Sequence, residues 1–251
     1  MQSHNDYVVV IPARYNSTRL PGKPLIKIAG KEMLLRTYHR CTKVVACEKI
    51  YVATDSKKIK DFCSEKSINV VMTGEKCITG TDRIAEFSEI VDSPVYINVQ
   101  GDEPILNPND LKTLIERSIN NPEIIFNGYC NIDSSTLYES ENIPKVVFSE
   151  NENLLYMSRS PIPYSKQYKP NLSFRQVCIY AFPKKALKNF SSRKNKTFFE
   201  SNEDIEILRF LELGYEIKMI KMSSESIAVD IPNDIIRVED AIRFAEKNEK
   251  S

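Results

Sequence analysis

Four apolar runs in the first half of this 251-residue chain constrain its fold more than any other feature. β-branched stretches at 8–11, 50–54, 68–72 and 95–99 are each followed by a polar loop, then by apolar residues at helical spacing. The spacing predicts helices over 32–45, 57–65, about 79–90 and 108–119. Asp55-Ser56 sits where the second would be capped, and Pro108 falls in the first turn of the fourth. Alternating strands and helices give a parallel sheet with helices on both faces. The four strands then point the same way. Their following loops, 13–23, 54–56, 73–83 and 100–104, meet at one edge, where open sheets bind ligands.

From residue 124 the texture changes to α+β with antiparallel content. Strands are expected at 124–130, 177–182 and 217–222, with a hairpin formed by 145–149 and 154–157. Residues 159–164 read as irregular and 167–171 as a loop. Helices are expected at 184–190 and at 203–213, the latter stopped by Gly214. A short strand, 227–229, ends at Asp230 before a last helix running to about residue 246.

Composition removes several function classes. Lys plus Arg number 35 and Asp plus Glu 34, so the formal charge of +1 gives no general attraction to nucleic acid or to a membrane surface. No apolar run approaches the roughly 20 residues needed to span a bilayer. The first six residues lack the apolar stretch of a signal peptide. The six cysteines form no C-x-x-C pair and read as reduced thiols. Together these point to the cytoplasm. With two histidines, His4 and His39, a histidine metal site is not expected.

The loop after the first strand carries Arg14, Asn16, Ser17, Arg19, Gly22 and Lys23. It lacks both the dinucleotide G-x-G-x-x-G and the Walker G-x-x-x-x-G-K-[ST] pattern. Guanidinium groups bind phosphate oxygens bidentately and an ammonium adds a point charge, so three cations in one loop suit a triphosphate. The plainer reading is a basic surface turn. Asp102, just past the fourth strand, is the best metal candidate, and Asp230 is the natural second. Mg²⁺ takes few protein carboxylates and completes its shell with phosphate oxygens and water. Glu103 is expected to face solvent beside Pro104. Thr73, Thr79, Gly80, Thr81, Arg83 and Gln100 are polar at the same edge and could read a pyrimidine. No Ser-His-Asp or Cys-His relation supports a covalent nucleophile.

These motifs together closely resemble the 3-deoxy-manno-octulosonate cytidylyltransferase (CMP-Kdo synthetase) family. They are Ile11-Pro-Ala-Arg-Tyr-x-Ser-Thr-Arg-Leu-Pro-Gly-Lys-Pro-Leu25, Val52-Ala-Thr-Asp55, Thr79-Gly-Thr-Asp-Arg83, Asn98-Val-Gln-Gly-Asp-Glu-Pro104 and Val229-Asp-x-Pro-x-Asp234. The similarity is strongest over residues 7–104. The resemblance implies an α/β fold with a mostly parallel, Rossmann-like sheet of the glycosyltransferase-A nucleotidyltransferase type. It implies one domain: a nucleotide-binding part at 1–121, an α+β sugar-binding and dimerisation insertion at 122–222, and a C-terminal part with the metal aspartate and a helix at 223–251. The implied reaction joins CTP and a 3-deoxy-2-keto sugar acid into a CMP-sugar and pyrophosphate, with Mg²⁺, in a homodimer. Carried over by position, Arg14, Lys23, Asp102 and Asp230 would be catalytic, the two aspartates as metal ligands. Pro12, Ala13, Arg14, Ser17, Arg19, Lys23, Thr73, Thr79, Gly80, Arg83, Gln100 and Asp102 would bind the nucleotide. Gln100, Arg159, Gln176, Tyr180, Glu203 and Glu206 would meet the sugar. The sugar side departs from the family pattern. Gln176-Val177-Cys178 stands where His-x-Gly is usual, and Glu206-Ile207-Leu208-Arg209 replaces Glu-Gln-Leu-Arg. Alternatives are the same chemistry on another sugar acid, such as an 8-amino-substituted Kdo, and a non-catalytic CTP-binding relative. An oxidoreductase would need the glycine fingerprint that is absent.

Overall fold

The computed structural model describes residues 6–16, 20–164 and 173–248. Its first strand, β1 (Val8–Ala13), is buried at every position. The reason is the period of two: Val9, Ile11 and Ala13 face one core cluster, while Val8 and Val10 face another. The first cluster receives α1 (Met33–Cys41), α2 (Lys57–Glu65) and α4 (Pro108–Ile119) through Leu34, Ile59 and Leu111. The second receives α3 (Gly80–Ser88), α6 (Lys184–Ser191) and α8 (Ile207–Glu212) through Phe87, Phe190 and Phe210. Each such side chain, fully buried, stabilises the fold by about 1.5–3 kcal/mol relative to exposure.

The expected parallel strands are present as β1, β4 (Ile50–Thr54), β5 (Asn69–Met72) and β6 (Val95–Val99). A minor antiparallel pair, β2 (Lys27–Ile28) and β3 (Lys31–Glu32), precedes α1. The main sheet continues through β7 (Ile125–Asn131), β10 (Phe174–Pro183) and β11 (Ile217–Lys221) in the order β11-β7-β10-β6-β1-β4-β5. β10 runs antiparallel between β6 and β7, so the second half completes the same sheet. The expected hairpin is β8 (Lys145–Phe148) with β9 (Leu154–Ser158), attached at the start of β10. A short helix, α5 (Ser135–Glu139), precedes it.

Four expectations are corrected. The helix foreseen to Val45 ends at Cys41, because the amides of Val44 and Val45 both turn back to the Cys41 carbonyl. The helix foreseen over 203–213 begins only at Ile207, as α8; Glu203 instead closes a separate helix that was not foreseen, α7 (Phe198–Glu203), and the chain breaks between them at Asp204 with φ of 53°. Arg159 holds the carbonyls of Glu203 and Asp204 at the break, and Glu206 is drawn away to α3. No strand forms at 227–229; there the Val229 amide makes a single bond to the Asp102 carbonyl. β10 extends beyond 177–182 at both ends and is irregular between Val177 and Tyr180, where the Asn127 amide donates to the carbonyls of Val177 and Ile179. The loop foreseen at 167–171 lies outside the described residues. The chain closes with α9 (Pro232–Asn248), and among the described residues no helix is long and apolar enough to cross a membrane. All six cysteines are free.

Candidate active site

The loops after β1, β5 and β6 converge because two glycines permit it. A Cβ on Gly101 would lie 3.0 Å from the Pro12 carbonyl oxygen, and one on Gly80 would lie 3.1 Å from Gln100 Nε2. Between them opens a polar cleft of about 300 Å³. Pro12, Ala13, Arg14, Lys23, Thr79, Gly80, Arg83, Gln100, Asp102, Glu206 and Asp230 all line it, as the sequence motifs had grouped them. Ser17 and Arg19 fall outside the described residues.

The charged centre of the cleft is a cation between two carboxylates. Lys23 Nζ donates to Asp102 Oδ2 at 2.6 Å and to Asp230 Oδ1 at 3.1 Å. A 3₁₀ turn, Lys23–Leu25, entered through Gly22 at φ of 70°, sets the lysine. The end of β6 sets Asp102. Asp230 is aligned from α9, whose Asp234 carboxylate accepts the amides of Asp230 and Ile231. Burial lowers the Lys23 pKa, but the two aspartates outweigh it and the net direction is upward. Two carboxylates converging on one point suit a hard divalent cation that keeps water and phosphate oxygens in its shell. Among the described residues no group of three or more His, Cys, Asp or Glu could hold a metal, so an all-protein cage is not what these residues build.

Glu103 does not face solvent. Turn bonds from its amide to Gln100 and from Leu106 to its carbonyl carry the side chain inward. It is 3% exposed and accepts from Ser226 Oγ. Burial, then the nearby Asp102 charge, push its carboxyl up to about 7.

Thr79 caps α3 in a reciprocal box with Asp82. The next two amides, Gly80 and Thr81, donate to the Glu206 carboxylate at 3.2 and 2.7 Å, so an internal anion holds the positive end of α3. Burial raises the Glu206 pKa against these bonds. Arg83 reaches the cleft wall yet is 3% exposed, paired with Asp55 at 2.8 Å and bonded to Thr73, which lies behind the wall.

Of the sugar-side set, Gln100 and Glu206 line the cleft; Arg159, Gln176, Tyr180 and Glu203 do not. Gln176 Nε2 donates to Asn127 Oδ1 at 2.9 Å. Tyr180 is buried and stacked on Phe182. Glu203 accepts from Ser158 Oγ at 2.7 Å and the Arg159 amide at 2.8 Å. The Arg159 guanidinium is spent on the carbonyls of Glu141, Glu203 and Asp204. Ile207 is buried in the core. Two charged residues that sequence reasoning missed also line the cleft, Lys196 and Asp204, which form an ion pair; Pro24, Met33, Cys77, Ile78 and Gly101 supply the rest of the wall. Asp204 enters through its left-handed backbone, which Asp tolerates better than most residues but which helical spacing does not reveal.

Residues 8–221 match the family described as cytidylyltransferase. The chain is 35% identical over 225 residues to a 3-deoxy-manno-octulosonate cytidylyltransferase of Escherichia coli, covering 90% of this chain and 91% of that one. It is 37% identical to the protein of the same name in Protochlamydia amoebophila, covering 92% of each. The solved structure of CMP:2-keto-3-deoxy-manno-octonic acid synthetase complexed with CTP superposes with a TM-score of 0.88 at 32% identity, covering 96% of this chain and 100% of that one.

Proposed function

Because the chain belongs to the 3-deoxy-manno-octulosonate cytidylyltransferase family, we propose that it transfers CMP from CTP to the anomeric hydroxyl of a 3-deoxy-2-keto sugar acid, with release of pyrophosphate. The observation that carries this reading is the convergence of Lys23, Asp102 and Asp230 at the mouth of the sheet edge. The hydroxyl attacks the α-phosphorus in line with the leaving pyrophosphate. No covalent enzyme intermediate is needed, so catalysis rests on positioning and charge neutralisation. Arg14, Arg19 and Lys23 hold the triphosphate, with Ser17 as a neutral donor. Thr79, Gly80 and Gln100 approach the base and ribose, with Arg83 stiffening that wall through Asp55 and Thr73. Asp102 and Asp230 would hold Mg²⁺, which when bound neutralises phosphate charge.

The acceptor lies against Gln100 and Glu206. Arg159 and Glu203 shape that wall from behind, through the backbone at Glu203 and Asp204. Exposed Leu155 and Phe198 fit a homodimer contact through the 122–222 part, and a cytoplasmic location belongs to the same proposal. A second reading keeps the chemistry and changes the acid, since Gln176 is turned to Asn127 and Ile207 into the core.

The test is a product assay. Pyrophosphate and CMP-sugar are followed with each of the four nucleoside triphosphates, Mg²⁺, and a panel of Kdo, 8-amino-Kdo and related acids. Turnover is expected with CTP and at least one acid. CTP binding without turnover on any acid would leave a non-catalytic relative instead.

A further inference from the structure

We propose that Lys23 keeps the metal position closed in the nucleotide-free protein and is drawn off it by the polyphosphate, so that nucleotide binding opens the site to the metal. The inference rests on the reading of Asp102 and Asp230 as the metal carboxylates. Three segments far apart in the chain meet at this one ammonium: the loop after β1, the end of β6 and the lead into α9. Without a cation between them the two carboxylates would repel, and Lys23 supplies it at 2.6 and 3.1 Å. A divalent ion bound to the same two oxygens would sit within a few ångströms of Nζ, where like charges repel strongly. The ammonium and the metal therefore exclude each other from this position.

Two of the other cations lining the cleft are held by carboxylates elsewhere, while Arg14 directly follows β1 on the same loop as Lys23. Arg83 is buried on Asp55 and Thr73, and Lys196 pairs with Asp204. Lys23 has a flexible stem and a compact charge, so it can exchange carboxylates for phosphates without moving the backbone. A triphosphate entering beside Arg14 meets in Lys23 a positive group held by two negative ones. When Lys23 turns to it, the ammonium no longer occupies the position between the two carboxylates. Binding of the two ligands is then mutually reinforcing, by the same factor in each direction.

The test uses Mn²⁺ alone as probe, at pH 8, followed by the paramagnetic resonance of the free ion. Lys23→Met is expected to bind Mn²⁺ at least tenfold more tightly than the wild type without nucleotide, and the gain should vanish in Lys23→Met/Asp102→Asn. A folded Lys23→Met protein with unchanged or weaker Mn²⁺ affinity overturns the proposal. A second measurement does not depend on that variant folding. In excess chelator, metal-free CTP should bind Asp102→Asn several-fold more tightly than wild type, because Lys23 is less restrained. No gain there also overturns it. If Asp102→Asn and Asp230→Asn both leave Mn²⁺–CTP affinity unchanged, the metal reading itself fails and takes the proposal with it. If those variants lose Mn²⁺ while Lys23→Met changes nothing, only the gating role falls.

Discussion

Asp102 and Glu103 are adjacent in sequence and opposite in environment. Asp102 lies in the cleft against Lys23, while Glu103 turns inward to Ser226 and is held near neutrality by burial. Asp102 is the carboxylate of the two that reaches the cleft. Replacing it with asparagine keeps the shape and removes the charge. That should lower kcat by about 10²–10³-fold, the scale of losing one preorganised electrostatic element. Steady-state rates at saturating Mg²⁺ and both substrates check this, and near-wild-type turnover would remove Asp102 from the reaction. The place of Asp102 in the cleft was legible in the sequence because it follows a buried strand. The inward turn of Glu103 was not, since it depends on Ser226, a partner 123 positions away. Gln176 misled for a related reason: an irregularity in β10 recruits Asn127, and Asn127 takes the glutamine amide, which spacing cannot show.

The spacing that predicts a helix over 203–213 runs the last residue of α7 into α8 and leaves the rest of α7 unforeseen. What divides them is long-range. Arg209, 1% exposed, forks onto Glu200 of α7 at 2.5 and 2.6 Å, reaches Asp82 of α3 at 3.2 Å and covers the Phe190 ring. Arg209→Ala leaves the fully buried Glu200 without its guanidinium partner, so urea unfolding should show a loss of about 3–5 kcal/mol. Glu200→Met/Arg209→Met should recover most of it, and additive losses in the double variant would contradict a closed ion pair. The hairpin β8–β9 carries a second buried charge. Lys145 donates to the carbonyls of Ser140 and Arg159. Burial, then the Arg159 charge, lower its pKa from 10.5 to about 8. Between those values the unfolded chain binds more protons than the folded one, so stability should rise with pH across that window. Relative to Lys145→Met, the gain should be about 1–2 kcal/mol, allowing for partial solvent screening. Denaturant titrations at pH 7 and pH 10 measure it, and a flat or falling difference would refute the assignment.

The described residues form two large cores and one small one. The large cores lie on the two faces of the sheet, and they were legible because β1, β4 and β6 announce themselves as runs of β-branched residues. The small cluster was not legible, because it joins the two ends of the chain. Leu20, Ile28 and Met33 from the first loop and its neighbours pack against Val229 and Val238 from the C-terminal segment. Asp230 and Lys23 ride on these opposite halves. The site is therefore supported by a satellite core that can open without the sheet opening. Val238 is fully buried there, and Val238→Ala should cost about 1–3 kcal/mol locally. Hydrogen exchange should speed up by about tenfold or more over 227–248, at about 1.4 kcal/mol per decade, while amides of β1 and β6 keep their protection. Affinity for Mn²⁺–CTP should fall with it, because Asp230 is then held in place for less of the time. If exchange instead accelerated equally through β1 and β6, the satellite core and the sheet would be one cooperative unit, and the lost affinity would reflect global destabilisation.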